Sequence, residues 1–273
     1  MKMTLQNKRA LVTGASVGIG RALATALAGR GVAVAIAARR TAALEELAGE
    51  IAGAGHRRPA VLGVDLGKRG AAADLAARAV AALGHIDILI NNAGANIIGS
   101  QWAAGDSDPA RELFELNYWS PLALIQALVP DMRRRKEGAV VNVTSLAGIA
   151  AWVFTGHYSS TKAALSLASD TLRLELQGSG VHVLEVMAGP TETALLAGAR
   201  KHVPGAGTAM SWGPQGNTTQ LAGLVLQSLE RRRKVLVYPR LLGMTPVLPG
   251  ISKWFMGRLQ RKLDGDEARL GGP

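Results

Sequence analysis

Three side chains in the middle of the chain have the types and spacing of a proton-transfer site. They are the hydroxyl of Ser145, the phenol of Tyr158 and the amine of Lys162. Tyr158 and Lys162 lie four residues apart in a run, His157 to Gln177, that reads as helix, so both project from one helical face. A free phenol, with a pKa near about 10, is a poor proton donor or acceptor at neutral pH. A cation held beside it favours the phenolate and lowers that value. Ser145 stands 13 residues before Tyr158, at the end of an apolar run (Ala139 to Val143) that reads as a buried strand. From there it can return to the same cleft and hydrogen-bond an oxygen that already faces the tyrosine. A Tyr-x-x-x-Lys spacing is common by chance, and an ordinary amphipathic helix with a surface lysine would carry it equally well. The elements around it change the odds.

Those elements alternate strand and helix. Residues 8–13 read as a short buried strand, followed by Thr13-Gly-Ala-Ser-Val-Gly-Ile-Gly20 and an Ala/Leu-rich helix from Arg21 to Ala28. A strand, a glycine turn and a helix start make an anion site: glycine lets the backbone approach a pyrophosphate, and the helix N–H groups point at it. The glycines Gly14, Gly18 and Gly20 are spaced Gly-x-x-x-Gly-x-Gly. The second strand, Gly31 to Ala38, ends in Ala38-Arg39-Arg40 instead of the carboxylate that holds an NAD ribose. Two guanidinium groups suit a 2′-phosphate, which predicts NADP(H) over NAD(H); a solvated pair at a helix entry is the alternative. A third strand ends in Asp65-Leu66, placed to frame an adenine or to cap a helix, and a fourth, Ile86 to Ile90, runs into Asn91-Asn-Ala-Gly94. Asn side chains at a strand end can pin neighbouring backbone. Asn117 falls inside a helical run from Pro109 to Met132, and Arg133 to Lys136 then suit a helix C-terminus on a solvated face. The alternation predicts a single doubly wound parallel sheet flanked by helices, a Rossmann fold of the α/β class.

At 273 residues the chain can bury a substantial core. It has no Cys, hence neither a disulfide framework nor a thiol site, which suits a reducing compartment. The N-terminal residues lead straight into the first strand, and no stretch offers the ~20 apolar residues of a membrane span, so a cytoplasmic location is expected. The net charge of +11 is concentrated toward the C-terminus, where residues 230–273 hold 10 Lys/Arg against 4 Asp/Glu. That distribution, with 4% aromatic residues, argues against a nucleic-acid partner. No His/Asp/Glu cluster has metal-ligand spacing, so no metal is expected.

The ordered set Thr13-Gly-x-x-x-Gly-Ile-Gly20, Asp65, Asn91-Asn-Ala-Gly94, Asn117, Ser145 and Tyr158-x-x-x-Lys162 resembles that of the short-chain dehydrogenase/reductase family. The resemblance covers roughly Lys8 to Thr193. It implies that Tyr158 is the acid in reduction and the base in oxidation, and that Lys162 lowers its pKa and meets the nicotinamide ribose. It further implies that Ser145 holds the substrate oxygen and that Asn117 positions a water linking Lys162 to solvent. Gly14, Ser16, Ile19, Arg39, Asp65, Asn91 and Ala93 match the family's cofactor contacts; Gly18, Gly20, Arg40, Leu66, Gly94, Gly189, Pro190, Thr191 and Thr193 are candidates beside them. The chain departs at Ala188, where the family usually has proline, while Gly189, Pro190 and Thr191 keep the pattern. Homo-oligomerisation to a dimer or tetramer is implied, through helices around Leu113–Leu128 and Tyr158–Leu176.

The positions expected to line the pocket, Ala95 to Ile98, Leu146 to Ile149, Trp152 and Val153, are mostly apolar and suit a hydrophobic ketone, aldehyde or alcohol. A lid is expected at about 192–216, carrying Gly198, Gly205 and Gly207. A catalytic domain over residues 1–238 is followed by an apolar and basic extension, 239–273, with Trp254, Phe255 and Met256 near Arg258, Arg261 and Lys262. Two readings of this tail stand: packing on its own pocket or a neighbouring subunit, and peripheral contact with a membrane surface. Two readings of the whole also stand beside an NADP(H)-dependent carbonyl reductase. One is an NAD-dependent alcohol dehydrogenase, the other a non-catalytic nucleotide sensor on the same fold.

Overall fold

Unbroken runs of Val, Ile, Leu and Ala make strands that bury both faces, and such strands belong in the middle of a three-layer fold. The computed structural model describes residues 3–150, 154–191 and 216–243, together with 246, 250, 253 and 254. Its first half runs β1 (Arg9–Thr13), α1 (Gly18–Ala28), β2 (Ala33–Ala38), α2 (Thr41–Gly53), β3 (Ala60–Gly63), α3 (Ala71–Leu83) and β4 (Ile88–Asn91). The second half runs α4 (Gln101–Ala104), α5 (Asp108–Phe114), a π-helical turn (Glu115–Trp119), α6 (Ser120–Arg135), β5 (Gly138–Ser145), α7 (Gly156–Glu175), β6 (Val181–Ala188), α8 (Thr218–Glu230) and β7 (Val235–Tyr238). All seven strands are parallel, in the order β3-β2-β1-β4-β5-β6-β7. Alternate side chains enter two cores. One packs α1, α2 and α8 on one face of the sheet, and the other packs α3 and α6 on the opposite face.

Strand order reverses between β1 and β4, and the crevice beyond their carboxyl ends is where such sheets take ligands. The opposite end of the sheet is tied by ion pairs. Asp87, buried before β4, accepts from Arg9 N at 2.9 Å and from Arg135 Nη1 at 2.6 Å. Arg135, expected on a solvated face, is therefore partly buried between Asp87 and Asp131, and Arg134 stays exposed on Asp131.

The predicted helix over residues 109–132 forms without a gap but is not regular throughout. α5 gives way to the π turn before α6 begins. The wider turn carries one extra residue, and Asn117 within it is fully buried. Trp152, Val153, all of the predicted lid but Gly216 (Thr193 included), and most of the tail lie outside the described residues. Among the described residues no helix is long and apolar enough to cross a membrane.

Candidate active site

The glycine turn after β1 is built by close approach. A Cβ on Gly20 would lie 2.3 Å from the carbonyl oxygen of Gly14, so only glycine lets the start of α1 sit against the turn, and Gly14 itself has φ +66°. Asn92 closes the turn from the neighbouring strand. Its Nδ2 donates to Thr13 O at 2.9 Å and Gly14 O at 3.3 Å, while its main-chain N–H and that of Ala93 both donate to Thr13 Oγ1 at 3.0 Å. Thr13 and Asn92 are thus the side chains that shape the turn. Asn91, expected from the resemblance as a cofactor contact, takes no part in the turn with its side chain. Asn91 Nδ2 donates to Asn142 Oδ1 on the neighbouring strand at 2.9 Å.

Above this turn the two arginines part. Both are exposed, but Arg40 Nη2 donates to Ser16 Oγ at 3.3 Å. Ile19 packs on the core from the first turn of α1. Asp65 lies beyond the end of β3, where Oδ1 accepts from Gly67 N at 3.0 Å; this is the local cap that short acidic side chains make in turns. The Leu66 side chain is buried in the core and its carbonyl accepts from Ser120 Oγ at 2.7 Å. A nicotinamide dinucleotide fits the turn by this test: two strand ends, a backbone cradle with no room for a Cβ, and a guanidinium held over Ser16.

On the other side of the crevice stand Ser145, Tyr158 and Lys162, with Asn117 behind them. Ser145 ends β5 and caps the following 3-10 turn (Leu146–Gly148), its Oγ accepting from Ala147 N at 3.1 Å. That turn presses on α7, because a Cβ on Gly148 would come within 2.8 Å of Ala163 N. Lys162, buried in α7, donates from Nζ to Val143 O at 2.9 Å and lies 5.9 Å from the centre of the Tyr158 ring. Burial pushes the amine down to about 8. Burial also pushes the Tyr158 phenol up, opposed by a hydrogen bond with Ser145. The lowering expected from the amine is outweighed here, and burial is the larger influence on the phenol.

Asn117 fastens the wall facing Tyr158. Oδ1 accepts from Ala95 N, while Nδ2 donates to Ala95 O and to Thr161 Oγ1, each at 3.0 Å. Thr161 in turn donates to Tyr158 O at 2.7 Å. The small Gly94 makes room here, since a Cβ on it would lie 3.3 Å from Asn117 Oδ1 and 3.4 Å from Lys162 Nζ. Farther along the wall, Gly99 N donates to Phe154 O at 2.9 Å, and His157 Nε2 meets Gly105 O at 2.8 Å. His157 is thus a staple at the start of α7. Thr161 carried no signal in the sequence beyond its place next to Lys162.

The floor near the last strands holds Ala188, buried at the end of β6 between Ser145 and Tyr238. Gly189 N donates to Tyr238 O at 2.7 Å, Thr191 Oγ1 to Gly189 O at 3.0 Å, and Gly216 N to Pro190 O at 2.8 Å. Among the described residues no group of three or more His, Asp or Glu is placed to hold a metal ion.

Residues 8–204 match the family model described as short chain dehydrogenase. The mouse protein named dehydrogenase/reductase SDR family member 7B is 35% identical over 199 residues, which are 71% of this chain and 61% of that protein. The chain thus spans about three fifths of that relative's length. A short-chain dehydrogenase from Streptomyces avermitilis superposes with a TM-score of 0.77 at 29% identity, covering 95% of this chain and 100% of the other. One from Sphingobium yanoikuyae, solved in complex with NADPH, gives 0.77 at 27% identity, covering 95% and 99%.

Proposed function

The chain belongs to the short-chain dehydrogenase family, and from that premise we propose that it is an NADP(H)-dependent oxidoreductase interconverting a carbonyl and an alcohol on a hydrophobic substrate. The observation that carries this reading is the meeting of Ser145, Tyr158 and buried Lys162 beside a glycine turn overlooked by Arg40. The bound nicotinamide supplies or accepts the hydride. The residues of this chain supply position and the proton. In reduction, Ser145 and Tyr158 both donate to the carbonyl oxygen as negative charge develops there, and Tyr158 gives up its phenolic proton. Lys162 would hold the nicotinamide ribose and, 5.9 Å from the ring centre, would place positive charge next to the phenolate left behind. Asn117 keeps the wall at Ala95 in place and positions the water through which the proton is replaced.

Gly14, Ser16, Gly18, Gly20, Ala93 and the main chain of Asn91 form the cofactor cradle in this reading, with Gly189, Pro190 and Thr191 at its nicotinamide end. Arg40, already over Ser16, is the leading partner for a 2′-phosphate, and Arg39 joins it from solvent. Ala95, Ile97, Ile98, Leu146 and Ile149 give the substrate an apolar surround. The decisive experiment is a fluorescence titration with NADPH and, separately, NADH. Much tighter NADPH binding, weakened toward the NADH level by Arg40→Ala, is expected. Equal or tighter NADH binding would turn the reading to an NAD-dependent alcohol dehydrogenase, and binding of neither would abandon catalysis. Turnover restricted to small polar ketones would overturn the substrate class.

We further propose that the protein is a homo-oligomer joined through α7. Leu167 and Leu174, seven residues apart on that helix, are 70% and 73% exposed, and Trp119 in the adjoining π turn is 54% exposed. Large apolar side chains on one face mark a contact surface.

A further inference from the structure

One carboxylic acid lies inside the fold with no part in the chemistry above. Glu185, in the middle of β6, is 1% exposed. Its Oε1 accepts from Thr144 Oγ1 at 2.7 Å, and Thr144 is the residue before Ser145 on the neighbouring strand. Ser166, one turn beyond Lys162 on α7, also acts on the carboxyl, although Oε2 has no partner at good hydrogen-bond geometry. Burial pushes the carboxyl's pKa up against both hydroxyls. The charged groups facing it are both on α7: Asp170 pushes the same way and Arg173 opposes. Arg173 is already paired with Asp170 and also reaches the carbonyls of Val183 and Lys234. An ionised Glu185 would therefore be a buried charge without its own counter-ion. The neutral acid, by contrast, is a strut that accepts at one oxygen and can donate at the other.

Packing alone does not account for an acid at this place. The other inward residues of β6 on this face are Val181, Val183 and Met187, and a leucine would fill the slot without a polar group to satisfy. A second polar tie, Asn142 Nδ2 to Ser169 Oγ at 2.8 Å, already joins β5 to α7 one turn farther from Lys162. The acid adds a tie at the level of the reacting groups.

We propose that Glu185 is a positioning residue: it joins Thr144 to the turn of α7 that follows Lys162, and so fixes how far the Ser145 hydroxyl stands from the Tyr158 phenol. The inference rests on the reading of Ser145 and Tyr158 as the proton-handling pair. Its test needs no substrate, because the chain has only three tyrosines and each can be followed by isotope labelling at the ring Cζ. The Tyr158 resonance is identified by its loss in Tyr158→Phe, and Ser145→Ala sets the displacement that follows when the hydroxyl is removed. Glu185→Leu and Thr144→Val are expected to move the resonance in the same direction by at least half that displacement, and Glu185→Gln to leave it near the wild-type position. Thr144→Val cuts the same link from the other strand, so the test survives if Glu185→Leu fails to fold. The proposal falls if these variants leave the resonance in place while Ser145→Ala moves it, or if Glu185→Gln moves it as far as Glu185→Leu. If Ser145→Ala itself leaves it unmoved, the pairing of Ser145 with Tyr158 falls first and takes the proposal with it.

Discussion

The amine of Lys162 donates to the main-chain carbonyl of Val143 across 2.9 Å, so the helix that carries Tyr158 is pinned to the strand that ends in Ser145. Burial holds that amine at about 8 instead of 10.5. The unfolded chain then binds the proton more tightly than the folded one. The cost of burying the cation is present in full below pH about 8 and fades as pH rises from there toward 10.5. At about 1.4 kcal/mol per pH unit the cost is on the order of 3 kcal/mol. Lys162→Met is expected to abolish turnover yet raise the Tm of the cofactor-free protein near neutral pH, with an advantage that shrinks in alkaline buffer. Thermal melts at neutral and alkaline pH check this, and a variant that melts lower in both would show that the bond to Val143 outweighs the desolvation.

Asn117 satisfies both main-chain groups of Ala95 and the hydroxyl of Thr161 from inside the fold. Removing a partner from buried polar groups costs roughly 1–3 kcal/mol. Asn117→Ala is therefore expected to lower stability by about 2 kcal/mol in urea unfolding. Because the wall at Ala95 loosens while the glycine turn does not, KM for the carbonyl substrate should rise with cofactor affinity nearly unchanged. An equal loss of both would place the effect elsewhere.

The turn after Ser145 has no space to spare. A Cβ at position 148 would meet Ala163 N at 2.8 Å, and main chain cannot move aside as a flexible side chain can. Gly148→Ala should cost about 1–3 kcal/mol, the usual range for overpacking. It should also lower kcat by displacing Ser145 from the phenol. Wild-type kcat in a folded Gly148→Ala protein would contradict this account of the turn.

Leu167 and Leu174 are outward-facing on α7, where isolated leucines would gain nothing from solvent. Replacing both with lysine should leave the monomer fold intact and reduce the mass seen by light scattering to that of one chain. An unchanged mass would move the subunit contact to another surface.

Much of this was legible in the chain. Most strands are marked by apolar runs, and β7 falls at Val235–Tyr238 as expected, whereas β6, interrupted by His182 and Glu185, carries no such run. The Ser145, Tyr158 and Lys162 grouping was legible because a four-residue helical spacing and a strand end are local properties. What escaped depends on contacts between distant segments. Leu113, Leu116, Leu122 and Leu128 give the same apolar pattern whether or not one turn widens, so the π turn at Asn117 left no mark in the periodicity. Asn91 and Asn92 are adjacent amides, and only the sheet decides that the first turns inward to Asn142 and the second clasps Thr13. Likewise nothing local distinguishes Arg39 from Arg40; the direction in which β2 releases the chain does. The opposing pushes on the Tyr158 phenol were weighed wrongly because a neighbouring charge can be read from spacing, whereas burial cannot.

The π turn at Glu115–Trp119 holds a residue that a regular helix would not need. Deleting one residue there would let α5 and α6 join as a single α-helix with better hydrogen bonds. The flanking halves would keep their phase, because the wider turn absorbs the extra residue, but the residues within the turn would lose the place that the widening gives them. Asn117 could then no longer face Ala95 and Thr161 while Leu124 and Leu128 stayed in the core. Shortening this segment is therefore a change that improves the local helix and unmakes the site, so chain length here should tolerate substitution far better than the loss of a single codon.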